Sequence, residues 1–124
     1  MSSVLVIDDS VEIREILQQM LKSLGHESRE FEDGAQGVAS YRAQRADVVL
    51  LDMFMPDKDG LETLRELRQA DPDVRIIAMT GGGAFHNVGI LKPASLMGAR
   101  QLLFKPITLA ELRNAITAVL AEQP

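Results

Sequence analysis

Asp47-Val48-Val49-Leu50-Leu51-Asp52-Met53-Phe54-Met55-Pro56-Asp57-Lys58-Asp59-Gly60 is the stretch that decides the fold of this chain. Residues 48–51 within it are apolar without interruption, which is typical of a strand buried on both faces in a parallel sheet. The strand runs directly into the carboxylate of Asp52. Because ligands bind at the carboxyl ends of the strands in open α/β sheets, we take Asp52 as the candidate reactive residue.

The composition is that of one ordinary globular domain. The chain has 124 residues, a net charge of −5 and no cysteine, so we expect residues 1–124 to form a single domain without disulfides or thiolate metal sites. The sequence has no block of lysine and arginine residues that would bind nucleic acid or an anionic membrane. The sequence has neither a signal peptide nor an apolar run of membrane-spanning length, which predicts a cytoplasmic protein.

Strand and helix patterns alternate along the whole chain. The other predicted strands cover Val4–Ile7, Glu27–Phe31, Val74–Met79 and Leu102–Phe104. The first two predicted helices run from Ile13 to Leu24, before the stop signal of Gly25, and from Ala35 to Arg42. The third runs from a cap at Asp59 to Asp71-Pro72, and the fourth from about Ile90 to Gly98. The fifth begins at a capping box formed by Thr108 and Glu111. We expect the last helix to bury Leu109, Leu112, Ile116, Val119 and Leu120. Five strand–helix repeats predict an α/β fold, with one parallel sheet covered by helices on both faces.

Polar residues follow four of the predicted strands and should meet at one edge of the sheet. They are Asp8, Asp9, Asp52, Thr80 and Lys105. Three neighbouring carboxylates repel one another, and Mg²⁺, which prefers carboxylate, water and phosphate oxygens, relieves that repulsion. A lysine and a hydroxyl can neutralise and bind phosphoryl oxygens, while a carboxylate can act as the nucleophile. The set therefore indicates phosphoryl transfer.

In this arrangement the sequence resembles the receiver domain of response regulators in two-component signalling. The resemblance runs from Val4 to about Ala121 and depends on motifs in a fixed order along the chain. They are Asp8-Asp9, Asp52 with Met55-Pro56 and Asp59-Gly60, Thr80, and Lys105-Pro106. The resemblance implies a flavodoxin-like, doubly wound (βα)5 fold, whose five parallel strands lie in the order 2-1-3-4-5.

The resemblance also implies the roles of the site residues. Asp52 would accept a phosphoryl group from a phosphohistidine on a sensor histidine kinase or a histidine phosphotransfer protein. Lys105 would pair with the phosphoryl oxygens, and Thr80 would move towards them as the switch. The Lys105–Pro106 peptide bond would be cis, a geometry that proline makes accessible.

A magnesium site is implied by the same resemblance. Asp9 and Asp52 would bind Mg²⁺ directly, Asp8 would act largely through water, and the backbone carbonyl of Phe54 would be a further ligand. Without the resemblance, the Asp8-Asp9 pair can also be interpreted as the cap of the first helix, since aspartate is a favoured N-cap residue.

The chain departs from the family pattern in the part that transmits the signal. The position three before the family's lysine is usually aromatic, but here it is Leu102, and Phe104 directly precedes Lys105. The usual output face consists of the fourth helix, the fifth strand and the fifth helix. It would bind a downstream protein, and in this chain it includes the glycine-rich segment Gly81–Arg100.

Two other functions share the predicted fold. A small-molecule phosphohydrolase with an aspartate nucleophile would carry a second aspartate two residues later, where this chain has Phe54. A nucleotide- or flavin-binding module would have a glycine-rich loop after the first strand, where this chain has Asp8-Asp9-Ser10-Val11. These departures favour a signalling phosphoacceptor that is not an enzyme.

Overall fold

The computed structural model describes residues 2–53, 60–81 and 98–122. Three predictions lie outside the described residues: the carbonyl of Phe54, the helix cap at Asp59, and all but the last residue of the helix predicted between Ile90 and Gly98.

The described part of the chain forms five strands and four helices. The strands are β1 (Ser3–Ile7), β2 (Glu27–Phe31), β3 (Val48–Asp52), β4 (Ile76–Thr80) and β5 (Gln101–Phe104). The helices are α1 (Val11–Ser23), α2 (Gly34–Ala43), α3 (Gly60–Ala70) and α4 (Leu109–Ala121). None of these helices is both long enough and apolar enough to cross a membrane.

All five strands are parallel and form one sheet in the order β2-β1-β3-β4-β5. This order and the covering helices confirm the predicted flavodoxin-like architecture. The chain places β3 at the centre of the sheet. All five residues of β3 are buried, which the four consecutive apolar residues 48–51 predict for the first four.

Each face of the sheet has its own apolar core. On one face, α2 and α3 contribute Val38, Tyr41, Leu64 and Leu67. On the other face, α1 and α4 contribute Leu17, Leu21, Leu112 and Ile116. Burying a side chain of this size stabilises the fold by about 1.5–3 kcal/mol relative to leaving it exposed. The two cores therefore fix the sheet from both sides.

The helix ends follow the predicted signals at several positions. Thr108 and Glu111 form a complete capping box at the start of α4. Gly25 follows α1 with a φ of 87°, a left-handed conformation that glycine adopts without strain. The prediction that Leu109 is buried is wrong, because this side chain is 43% exposed. Leu109 is the first helical residue and lies at the margin of the stripe centred on Leu112 and Ile116.

The start of β4 also differs from the prediction. The strand begins at Ile76, because the chain first makes a turn in which the amide of Val74 donates to the carbonyl of Asp71 at 3.1 Å. Val74 is nonetheless buried in the core beside α2 and α3. A buried apolar residue just before a strand has the same sequence pattern as the strand itself, which explains the difference of two residues.

Candidate functional site

The carboxyl ends of β1, β3, β4 and β5 bring the predicted polar residues to one edge of the sheet. Asp52 and Thr80 are the last residues of β3 and β4, while Asp8 and Lys105 directly follow β1 and β5. Backbone hydrogen bonds continue the ladder beyond the strands. The amide of Lys105 donates to the carbonyl of Thr80 at 2.8 Å, and the amide of Met53 donates to that of Met79 at 2.9 Å. The edge is therefore set by the sheet itself.

Three carboxylates form the centre of this site. One oxygen each of Asp8, Asp9 and Asp52 lies within 4.8 Å of the others. Asp8 and Asp52 are buried, whereas Asp9 is exposed. At such distances each pair of negative charges repels by a few kcal/mol at an effective dielectric constant of about 20. The donor set consists of hard oxygen ligands, two of them buried, so it fits a divalent cation such as Mg²⁺.

Lys105 is the positive charge within the cluster. Its Nζ donates to Oδ2 of Asp8 at 2.6 Å and lies 3.5 Å from Oδ2 of Asp52. The lysine side chain is mostly buried, so these interactions are weakly screened by solvent. The ammonium group of Lys105 therefore pairs with the carboxylates of both Asp8 and Asp52.

The loop after β1 leaves both of its aspartates available to the site. The N-cap of α1 is Ser10, whose Oγ accepts a hydrogen bond from the amide of Ile13 at 3.3 Å. The interpretation of Asp8-Asp9 as the N-cap is therefore wrong. Oδ1 of Asp8 instead accepts from the amide of Ser10 at 2.9 Å, which orients the carboxylate inside the loop.

The residues at the predicted switch positions include the departure from the family pattern that the sequence indicates. Thr80 is buried, and its hydroxyl lies 3.5 Å from the carbonyl of Gly81, a weak contact. Leu102 packs against the core beside α2 and α3. Phe104 is 38% exposed and lies in register with Thr80 on the neighbouring strand. Phe104 therefore places the aromatic side chain two residues nearer to Lys105 along β5 than position 102, where the family usually has its aromatic residue. The Lys105–Pro106 peptide bond is cis.

Sequence reasoning missed one residue beside the site. Arg14, in the first turns of α1, donates from Nη1 to the backbone carbonyl of Asp8 at 2.6 Å. The available signal was an arginine six residues after Asp8, on a helix that starts next to the acidic pair. That spacing does not by itself distinguish this contact from a solvated helical arginine.

The protein shares its sequence family with known signalling proteins. The model of the response regulator receiver domain matches residues 4–117. The chain therefore belongs to the response regulator receiver domain family.

Individual relatives agree with this assignment. The chain is 30% identical over 113 residues to sporulation initiation phosphotransferase F of Bacillus subtilis, covering 91% of this chain and 89% of that protein. It is 31% identical over 118 residues to the chemotaxis protein CheY of the same species, covering 94% and 96%. The solved receiver domain of NtrX from Brucella abortus superposes with a TM-score of 0.89 at 26% identity, covering 97% and 99%.

Other relatives are much longer than the matched region. The chain spans only 26% of the transcriptional regulatory protein ZraR of Klebsiella oxytoca, with 31% identity over 118 residues.

The family assignment supports a phosphoacceptor role in signalling.

Proposed function

We propose that this protein is a phosphorylation switch in which Asp52 accepts a phosphoryl group from a phosphohistidine. The donor would be a sensor histidine kinase or a histidine phosphotransfer protein. The observation that carries the proposal is the position of Asp52: it ends the central strand, 3.5 Å from the Nζ of Lys105 and within 4.8 Å of the other two carboxylates.

The transfer exchanges one bond for another. A carboxylate oxygen of Asp52 attacks the phosphorus, the phosphorus–nitrogen bond breaks, and its electron pair returns to the imidazole of the donor. The product is an acyl phosphate on Asp52. The ammonium of Lys105 is already close enough to Asp52 to pair with an incoming phosphoryl oxygen, and the Thr80 hydroxyl on the adjacent strand can donate to another.

The charges of the described site favour a divalent cation. Three carboxylates and one ammonium sum to −3 + 1 = −2. Mg²⁺ would neutralise this charge and bind phosphoryl oxygens. Asp9 and Asp52 would hold it directly, while Asp8, whose two oxygens already accept from Lys105 and Ser10, would act through water. The carbonyl of Phe54 stays a predicted ligand outside the described residues.

The surface beside Lys105 suits docking of the phosphoryl donor. A mainly apolar cavity of about 160 Å³ opens there between α1 and the loop after β5. Its lining residues are Ile13, Ile16, Leu17, Lys105, Pro106 and Ile107. Of these residues, Ile16 on α1 is 49% exposed. A donor that buries this apolar surface would bring its phosphohistidine to the same edge as Asp52.

The downstream partner would bind elsewhere, on the face that includes β5 and α4. The exposed ring of Phe104 lies on β5 in register with Thr80, which links that face to the phosphorylation site. We therefore propose a signalling phosphoacceptor that acts through a partner protein, rather than an enzyme acting on small molecules.

Phosphorylation from a small-molecule donor tests the proposal. The protein is incubated with acetyl phosphate or phosphoramidate and Mg²⁺, and its intact mass is measured. We expect a gain of one phosphoryl group that Asp52→Asn abolishes and that the matched variant Asp47→Asn, at the opposite end of β3, retains. An unchanged mass, or a gain that survives Asp52→Asn, would contradict the proposal.

A further inference from the structure

Asp8 is held by hydrogen bonds to every one of its polar groups. Its amide donates to the carbonyl of Phe31 at 3.1 Å, and its two carboxylate oxygens accept from the amide of Ser10 and from Lys105. Its backbone carbonyl accepts from Nη1 of Arg14 at 2.6 Å. Phe31 ends β2, Ser10 and Lys105 lie in the segments after β1 and β5, and Arg14 lies on α1.

The contact with Arg14 acts on the peptide unit that joins the two metal-binding candidates. Asp8 is completely buried, so its carbonyl needs a protein partner. The carbonyl belongs to the rigid planar unit between Asp8 and Asp9. A charged guanidinium donor makes one of the stronger protein hydrogen bonds, so it fixes the orientation of that plane. The orientation of the plane in turn places the N and Cα atoms of Asp9, from which its exposed carboxylate extends.

We propose that Arg14 is a positioning residue that holds the Asp8–Asp9 peptide in the geometry that binds Mg²⁺. The inference rests on the proposed function, because it concerns the same acidic cluster. Arg14 touches neither the cation nor the phosphoryl group; it acts through the backbone carbonyl of Asp8.

Electrostatics and positioning predict opposite effects of Arg14 on cation binding. A guanidinium next to an acidic cluster repels an incoming cation, so its removal through charge alone would tighten Mg²⁺ binding. Loss of the hydrogen bond to the Asp8 carbonyl would release the peptide plane and weaken binding. Outer-shell partners of metal ligands are typically worth about 10–100-fold in metal affinity. The sign of the change therefore separates the two roles.

The experiment compares Arg14→Met, which keeps an unbranched apolar stem, with Arg14→Lys and with the control Arg113→Met on the exposed surface of α4. The Mg²⁺ dissociation constant of each 124-residue chain is measured by isothermal titration calorimetry. We expect about tenfold weaker binding in Arg14→Met, partial recovery in Arg14→Lys, and no change in Arg113→Met. Unchanged or tighter binding in Arg14→Met would overturn the proposal.

A second readout does not require the metal. Amide ¹H–¹⁵N spectra recorded without Mg²⁺ should show the Asp9 resonance displaced in Arg14→Met, because Asp9 carries the amide of the released peptide unit. An Asp9 resonance at the wild-type position would overturn the proposal, and Arg14→Lys supplies this comparison if the methionine variant fails to fold. If the wild-type chain does not bind Mg²⁺, the metal part of the proposed function fails and the role of Arg14 fails with it. If the wild-type chain binds Mg²⁺ and the Arg14 variants bind it equally well, the role of Arg14 fails but the proposed function stands.

Discussion

Replacing Tyr41 by phenylalanine removes a single hydroxyl from the contact between α2 and the end of α3. The hydroxyl donates to Oδ2 of Asp71 at 2.6 Å, and the two residues are only 2% and 7% exposed. Asp71 also accepts from the amide of Asp73 at 3.0 Å and lies 3.8 Å from a guanidinium nitrogen of Arg45. The phenyl ring of the variant would fill the same space, so the substitution tests the hydrogen bond alone.

The expected loss of stability follows from this geometry. A hydrogen bond to a charged group contributes about 1.5–3 kcal/mol, and because Asp71 keeps its other partners we expect a loss of about 2 kcal/mol. An unfolding entropy of about 2.1 cal/mol/K per residue gives about 0.26 kcal/mol/K for 124 residues. The midpoint of thermal unfolding should therefore fall by about 8 °C.

The pH dependence of this difference has a defined sign. Burial, the hydrogen bond to Asp71 and the charge of Asp71 all raise the pKa of Tyr41. A raised pKa means that the stabilisation is fully present below the unfolded-state pKa of about 10 and declines as the pH rises above it. At pH 11 ionisation of the unfolded tyrosine favours unfolding by about 1.4 kcal/mol. Phenylalanine does not ionise, so the difference between the proteins should narrow to about 0.6 kcal/mol.

Asp71 changes protonation at the other end of the pH range. Burial alone would raise the pKa of Asp71, but the hydrogen bonds from Tyr41 and Asp73 and the nearby Arg45 and Arg75 lower it from its ordinary value of 3.8. Its stabilisation is present above that value and is lost as the pH falls through the lowered pKa. The contribution of Asp71 ionisation to the free energy of unfolding is therefore constant between pH 7 and pH 11.

Two measurements check this prediction. Urea unfolding at pH 7.5 and pH 11 gives the free energies of both proteins, and in an Asp71→Asn background the Tyr41→Phe substitution should have a smaller effect. The chain has one tyrosine and no tryptophan, so its ultraviolet absorbance titration reports Tyr41 directly. A folded protein whose tyrosine ionises near pH 10, or a stability loss below about 0.5 kcal/mol at pH 7.5, would refute the reasoning.

Three further substitutions test other parts of the structure. Lys105→Met should tighten Mg²⁺ binding, because it removes a positive charge from the site. The same variant should slow the labelling of Asp52 by acetyl phosphate at least tenfold, because the phosphoryl oxygens lose their ammonium partner. Equal labelling rates in the variant and the wild type would contradict this role of Lys105. Gly37→Ala would place a methyl carbon in steric overlap with the buried side chain of Ile7, and it should lower the free energy of unfolding in urea by about 1–3 kcal/mol. An unchanged urea midpoint would contradict this prediction. The free energy of unfolding of the wild type should rise by about 2.7 kcal/mol at a Mg²⁺ concentration of 100 times its Kd. At the same concentration the free energy of unfolding of Asp9→Asn should rise much less, and equal increases would exclude Asp9 as a ligand.

The sequence predicted the framework of the site because the signals there are local and strong. The four apolar residues before Asp52 and before Asp8 identify β3 and β1 without knowledge of their neighbours. Once the strands are parallel, their carboxyl ends must lie along one edge, which brings Thr80 and Lys105 to the same place.

The remaining details depend on contacts that residue types do not encode. Serine and aspartate are both good N-cap residues, so the pattern alone could not assign the cap of α1 to Ser10. The bond from Arg14 to the Asp8 carbonyl depends on how α1 leaves the loop, and the Tyr41–Asp71 contact joins residues 30 positions apart. Such contacts are decided by tertiary packing.

The burial of β3 has a consequence for the dynamics of the site. The strand lies between β1 and β4, every one of its residues is buried, and the amide that follows it is bonded to β4. Backbone amides in such a strand exchange with solvent deuterium mainly when the whole domain opens, whereas amides near exposed ends exchange through small local fluctuations. Asp52 thus ends a strand whose amides we expect to exchange slowly. If Asp52 accepts the phosphoryl group as proposed, its backbone is anchored in the buried central strand, and we expect the groups around it to move more than it does.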